Sequence, residues 1–458
     1  MSQKELISPR PVANEEKCTE TPQNGYHFVI SKCEGPMQCA LSVAHSVEEG
    51  KGQMVVKESR DDDERQNGSL MGLLQNGREN GQETQKGRPK KACILSIDGG
   101  GMRGIIPAKA LCYLEERLKQ KSGNSNARIA DYFDLVAGTS VGGLIATMLC
   151  ANAGQGRPLF SAAEGLELLA QKGKRIFKIP PLKRPLAKLR GILTPRYSVK
   201  NMEAILKEHL GREDGRDLTL KDALKPLLIP CYDLVRAGTY VFTRADALAS
   251  ESCNYRLIDI CRATSAVPGF FRPATFSSVD RKNSIVGIDG GLVMNNPAAA
   301  AVAHALHNDV DFPHVRSLED VLVLSLGTGL FDRSYDAGKV RRWGAFQWAK
   351  PIARIVLDGI SDMVDHSMSM AFSSDRSNYL RLQVSGLPSR CLTEMDDPSS
   401  SNVRRLTKLA DDMLEQPGME YVPFGGKRQL EITNRERLNL LVDLLIAEQK
   451  SRLNSVTD

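Results

Sequence analysis

Apolar positions divide this chain into two stretches of different character. Up to about Lys91 they are sparse and without period, among many Gln, Asn, Glu and Gly residues and a run Asp61-Asp62-Asp63-Glu64. Such a composition cannot bury enough apolar surface to offset the entropy of ordering, so residues 1–91 are expected to form a disordered polar leader, with one short apolar patch from Tyr26 to Ile30. From Ala92 onward, short β-rich runs alternate with stretches of helical period. Strands are predicted at Ala92 to Ile97, Phe133 to Ala137, Leu227 to Leu234, Tyr240 to Thr243, Ser284 to Ile288, Val321 to Leu326 and Tyr379 to Val384. Helices are predicted at Ile106 to Lys119, Gly142 to Cys150, Glu164 to Gly173, Met202 to His209, Arg256 to Ala266, Pro297 to His307, Phe346 to Phe372, Asn402 to Leu414 and Thr433 to Gln449. This alternation is the signature of a mostly parallel sheet covered by helices on both faces. It predicts one α/β domain over 92–390 with a helical C-terminal extension, 391–458, packed on it.

Composition adds location and charge to that picture. The 458 residues are 41% hydrophobic and 25% charged, which is ordinary for a globular protein. Twelve basic and 14 acidic residues precede residue 91, leaving 49 basic against 41 acidic in the remainder, so the folded part is the basic part. The ten cysteines are scattered singly, without the paired spacing of a zinc site or the density of a disulfide scaffold. The first residues lack the long apolar stretch of a secretory signal, and no window reaches membrane-spanning length. A cytoplasmic protein is expected, one that meets any membrane peripherally.

The candidate chemistry sits at strand ends. Gly138-Thr139-Ser140-Val141-Gly142 follows an apolar run and precedes a helix, the pattern of a turn that lifts a serine hydroxyl for attack on an acyl carbon. The first strand ends in Asp98 and leads into Gly99-Gly100-Gly101-Met102-Arg103-Gly104 before another helix. Consecutive glycines and a helix start suit an anion, which fits either a dinucleotide fingerprint or an oxyanion hole. The next strand carries Ser140 where a ribose-binding acid would stand, which favours the oxyanion reading. Arg103 is either a further donor or a surface ion-pair partner. A serine needs a base, yet none of His209, His304, His307, His314 and His366 follows a strand in a Gly- or Pro-punctuated loop. Asp289 does: it ends an apolar run and precedes Gly290-Gly291 and then Asn295-Asn296-Pro297, on what the pattern takes to be the same rim. Partial burial would raise its proton affinity enough for a base.

These three blocks, in this order, resemble the patatin-like phospholipase family, over residues 92–390. The resemblance implies a three-layer α/β/α fold with a mostly parallel central sheet, and a Ser-Asp dyad without histidine. By residue match, Ser140 would be the nucleophile and Asp289 its base, with the Gly99, Gly100 and Gly101 amides and Arg103 as the oxyanion hole. Gly104, Gly138, Gly142, Gly290 and Gly291 complete the motifs. Ala263-Thr264-Ser265-Ala266-Val267-Pro268 and Leu324-Ser325-Leu326-Gly327-Thr328-Gly329 are similar to the plant patatin-related lipid acyl hydrolases. That likeness implies hydrolysis of phospholipids and galactolipids at a membrane surface; with no Asp-x-Asp calcium loop of the EF type and no His/Cys cluster in the sequence, catalysis without metal or other cofactor is expected, and no nucleic-acid partner. Val141 departs from the threonine usual in patatins. A similar plant subgroup often lacks the serine, so Ser140 itself implies retained activity. Two other readings stand beside it: a Ser-His-Asp esterase of α/β-hydrolase type, and a catalytically weak lipid-binding protein.

Two further stretches bear on lipid. Residues 172–200 carry ten basic side chains and no acid, interleaved with apolar residues and broken by prolines, as expected of a loop resting on anionic headgroups or serving as a lid. Trp343, Trp348, Met363, Met368 and Met370 occupy an apolar helical stretch, placed by the pattern in the core or along an acyl pocket.

Overall fold

Strand β1, Ala92–Ile97, is buried at all six positions, as a strand covered on both faces must be. It lies inside an eight-stranded sheet with β2 (Leu135–Gly138), β3 (Leu227–Asp233), β4 (Gly238–Thr243), β5 (Ala274–Ser277), β6 (Ser284–Asp289), β7 (Val321–Leu326) and β8 (Tyr379–Leu382). The order is β5-β6-β3-β2-β1-β7-β8, with β4 paired to β3. The computed structural model describes residues 90–454 other than 153, 155, 179–193, 212–214, 331–334, 386–394 and 423–425. The leader expected over 1–91, with its apolar patch, therefore lies outside the described residues but for Lys90 and Lys91.

Alternate residues of the central strands feed opposite faces. Cys93, Leu95, Ile97, Val136, Leu322, Leu324 and Leu326 join one apolar core, built with the helices Ile105–Ser122, Val141–Cys150 and Leu257–Thr264. Ala92, Ile94, Leu135, Ala137, Val321 and Val323 join a smaller one, with the helix Ala298–His307 and the end of the long helix Ala345–Ala371. The result is three layers, α/β/α, of unequal weight.

The strands β1, β2, β3, β7 and β8 run parallel, whereas β4 and β6 run antiparallel to β3. One edge of β3 is taken by β4 from Leu228 to Asp233. The other is shared: β2 pairs Leu227 and Leu228, then β6 pairs Cys231 to Asp233 from the opposite direction. Strands β2 and β6 thus meet head to head along a single edge. The expectation that Asp289 stands on the same carboxyl rim as Ser140 is corrected by this topology. Their tips converge because β6 is reversed, a pairing that no local apolar pattern reveals.

The sequence pattern also passed over β5 and, beyond residue 390, a hairpin of β9 (Pro417–Val422) and β10 (Gly426–Thr433), so that segment is not helical alone. Its helices Ser400–Glu415 and Asn434–Asn454 pack on Ile105–Ser122 and contribute Leu406, Met413, Leu438, Leu441 and Leu445 to the larger core. Arg452 pairs with Asp134 at 2.6 Å and Glu448 accepts the Lys91 amide at 3.0 Å, tying the last helix to the foot of β1.

Candidate active site

Ser140 stands between β2 and the helix Val141–Cys150 with φ 54° and ψ −123°, a conformation that costs a non-glycine residue of order 1–3 kcal/mol. The surroundings impose it. A Cβ on Gly142 would lie 2.2 Å from the Ile97 carbonyl oxygen, so only glycine lets the helix start this close to β1. The Ser140 amide donates to Thr264 Oγ1 at 2.9 Å, and Thr139 Oγ1 donates to the Met294 carbonyl at 2.6 Å.

The hydroxyl of Ser140 donates to Asp289 Oδ2 at 2.7 Å, and both side chains are buried. Asp289 Oδ1 accepts the Gly291 amide at 2.7 Å, which fixes the carboxyl plane. Burial pushes the Asp289 pKa up to about 7, against the hydrogen bonds from Ser140 and Gly291 that pull it down. A carboxylate that titrates near neutrality, in contact with a serine hydroxyl, has the geometry and proton affinity of a general base. The stretch Ala263 to Pro268 supports both tips: Thr264 holds the serine amide, while the carbonyls of Thr264 and Ala266 accept the amides of Gly290 and Asp289.

The glycine loop is less uniform than its sequence. The Gly99 amide already donates to the Asn295 carbonyl at 3.1 Å, and Arg103 Nη1 donates to the Gly329 carbonyl at 3.0 Å. Among the described residues no protein acceptor meets the amides of Gly100 and Gly101. Gly101 has φ 59°, and Met395, which escaped the sequence reading, accepts the Met102 amide at 2.8 Å. Thr328 Oγ1 donates to the Gly99 carbonyl at 2.6 Å, so the stretch ending in Gly329 supports the loop.

Asp98 lines the same cavity as Ser140 and is held by a buried cation. It takes a two-point bond from Arg381, at 2.9 and 2.7 Å, and Arg381 Nε also lies 2.8 Å from Asp365. All three are buried. Burial opposes the charge on Arg381, but Asp365 and Asp98 more than offset it and raise its pKa; burial in turn pushes Asp365 up to about 6. Asn296 donates to Asp365 at 2.8 Å, so the network runs from the glycine loop to the segment after Asp289. Arg381 and Asp365 sit in an ordinary strand and an ordinary helix, and only the three-dimensional pairing marks them.

Two cavities open on Ser140. One, the more polar of the two, is lined by Asp98, Arg103, Asn295, Asp358, Ser361 and Gln383 together with apolar side chains such as Val267, Leu292 and Leu357. The other is apolar, with Met102, Val141, Leu144, Leu169, Ile176 and Phe270 among its walls. A third apolar cavity shares Leu144, Leu169, Ile176 and Met202 with the second. Val141 points at Gly104, where an added Cβ would stand 2.6 Å from its Cγ2; it is a wall of the apolar cavity.

No histidine lines either cavity at Ser140 among the described residues. His209 packs on Phe160, His304 on Phe312 and His366 on Tyr421. No cluster of three metal-binding side chains, and no helix long and apolar enough to cross a membrane, occurs among the described residues. Of the basic segment, 179–193 lies outside the described residues. Of its start, Ile176 and Phe177 line the apolar cavity, while Lys172 and Arg175 pair at the surface with Glu208 at 2.7 and 2.8 Å. Met368 is core, but Met363 is exposed, and Trp343 and Trp348 are half-buried and line neither cavity at Ser140.

The family model for patatin-like phospholipase matches residues 95–302, which contain the glycine loop, Ser140 and Asp289. Over 376 residues the chain is 48% identical to Patatin-like protein 6 of Arabidopsis thaliana, covering 81% of this chain and 74% of that one. Probable inactive patatin-like protein 9 of the same plant is 43% identical, with 80% and 88% covered. Patatin group D-2 of Solanum tuberosum is 32% identical, with 80% and 92% covered.

Proposed function

Because the chain belongs to the patatin-like phospholipase family, we propose that it is a lipid acyl hydrolase in which Ser140 and Asp289 form the working pair. The observation that carries the reading is the 2.7 Å bond from the Ser140 hydroxyl to a carboxylate whose pKa is raised to about 7. Asp289 takes the hydroxyl proton as Ser140 Oγ attacks the ester carbonyl carbon. The amides of Gly100 and Gly101 hold the oxyanion, with Arg103 and Gly99 shaping the loop around them. Collapse of the tetrahedral intermediate passes the proton from Asp289 to the leaving alcohol and leaves an acyl-enzyme. Water, deprotonated by the same carboxylate, then releases the fatty acid and restores Ser140.

The apolar cavity takes the acyl chain, and the polar cavity takes the glycerol and its headgroup. Phospholipids are the proposed substrates, with galactolipids as a second class whose sugar hydroxyls suit the amide and carboxylate groups of the polar wall. Incubating the purified protein with phospholipid and galactolipid vesicles and identifying released fatty acids by mass tests this. Release by the wild type that vanishes in Ser140→Ala and Asp289→Asn is expected. Release that persists in either variant overturns the dyad, and no release from any lipid ester overturns the assignment.

A further inference from the structure

The long helix Ala345–Ala371 carries two faces of opposite purpose. Its inward side presents Leu357 and Ser361 to the polar cavity at Ser140, with Asp365 and Met368 buried beneath. Its outward side carries Ile352, Ile355, Val356 and Met363, which are 50%, 44%, 43% and 71% exposed. At 3.6 residues per turn these four, together with Trp348 and Gly359, fall within an arc of about 100°, the width of a face that ordinarily meets a core. A Cβ on Gly359 would meet nothing within 4 Å, so the face is open there as well.

At its amino-terminal end this face runs into an aromatic cluster. Trp343 meets Trp348 edge-on at 5.1 Å and Tyr335 at 5.7 Å, and Tyr335 is 39% exposed. Lys339, Arg341 and Arg342 are exposed beside them, with Asp336 the acid in that stretch. Among the described residues none of the three basic side chains enters an ion pair. Amphipathic rings, exposed aliphatic side chains and exposed cations on one surface match the layering of an anionic lipid interface, where cations meet headgroups and apolar groups enter the acyl boundary.

We propose that the outward face of Ala345–Ala371, with Tyr335, Trp343 and the cations Lys339, Arg341 and Arg342, is a docking surface for an anionic phospholipid bilayer. It places the membrane against the same helix turns that line the cavity at Ser140. The inference rests on the lipid-directed reading of that site, and it concerns a surface separate from residues 172–200, of which 179–193 lie outside the described residues.

Both tryptophans of the chain lie in this surface, so their emission reports on it directly. The test uses the full chain as Ser140→Ala, which prevents turnover, mixed with vesicles of phosphatidylcholine alone or with phosphatidylglycerol. A blue shift with the anionic vesicles only, quenching by brominated acyl chains and reversal by salt are expected. In the same background Ile352→Asp with Ile355→Asp, at exposed positions, lowers vesicle affinity at least about tenfold while leaving thermal unfolding unchanged. The same pair in the active background leaves hydrolysis of a soluble butyrate ester intact and depresses only vesicle hydrolysis.

Vesicle binding without a tryptophan response, or binding unaltered by the paired substitutions, overturns the surface. Self-association without vesicles that the same substitutions abolish assigns the face to a second copy and also overturns it. Failure of the active protein to cleave any ester strikes the proposed function alone, since the binding arm requires no catalysis.

Discussion

The two cavities that meet at Ser140 differ in how their walls are held. The polar one is walled by groups held in a buried network, in which Arg381 joins Asp98 to Asp365 and Thr328 secures the Gly99 carbonyl. The apolar one is walled by Val141, Leu144, Leu169, Ile176 and Phe270, side chains held by packing alone. Directional bonds fix atoms to a few tenths of an ångström, as charge stabilisation requires. Dispersion contacts tolerate varied occupants, as acyl chains of different length require. The difference teaches that reaction geometry resides on one side of the serine and chain accommodation on the other.

Removing the pair shared by both sides has the largest effect. Ser140→Ala and Asp289→Asn each lower kcat for ester hydrolysis by about 10⁴-fold or more, measured on the purified variants against the wild type. Loss of one side without the other would break the pairing. The wild-type kcat/KM rises with pH through about 7, because the base works only when Asp289 is ionised. The same shift has a stability consequence of opposite sign. A carboxyl whose folded pKa lies above its unfolded value binds more protons folded than unfolded, so its contribution falls as pH rises from about 4 to about 7. Asp289→Asn is therefore more stable than the wild type at pH 8, by on the order of 1–4 kcal/mol, and nearly equal to it at pH 4. Thermal melts at the two pH values measure the difference.

A polar wall held by a buried network breaks as a unit. Arg381→Ala leaves Asp98 and Asp365 without their cation and costs about 3–5 kcal/mol in denaturant unfolding. An apolar wall yields selectively: Ile176→Asp slows hydrolysis of a palmitoyl ester about tenfold relative to a butyryl ester, because only the longer chain reaches the charge. The smallest effect is expected at Val141→Thr, which adds a hydroxyl to that wall without touching the dyad. It changes turnover by less than about threefold in the same ester assay.

What the sequence disclosed follows the range of the interactions concerned. Strand β1 and the elbow at Ser140 were legible, because an apolar run ending in glycines is a local signal. The helix that begins at Ala162 was placed two residues late, although Ser161 and Glu164 form a reciprocal capping box whose spacing is visible in the chain. Asp289 was found and placed beside Ser140, but the strand direction that brings it there was not, since the reversal of β6 is set by pairing with β3. The engagement of the Gly99 amide by Asn295 could not be read, for it joins segments far apart in the chain. Arg381 and Asp365 gave no motif at all. The outward face of Ala345–Ala371 showed an apolar pattern that ordinarily means core, and only its exposure separates the two meanings.

The central claim is that Ser140, activated by Asp289, carries the acyl group. Acid-quenching the protein during turnover of a p-nitrophenyl acyl ester and mapping the adduct by peptide mass tests it most directly. One acyl group on Ser140 in the wild type, and none in Asp289→Asn, is the predicted result; ester turnover with the acyl group on another residue, or with no adduct on Ser140 at any quench time, would contradict it.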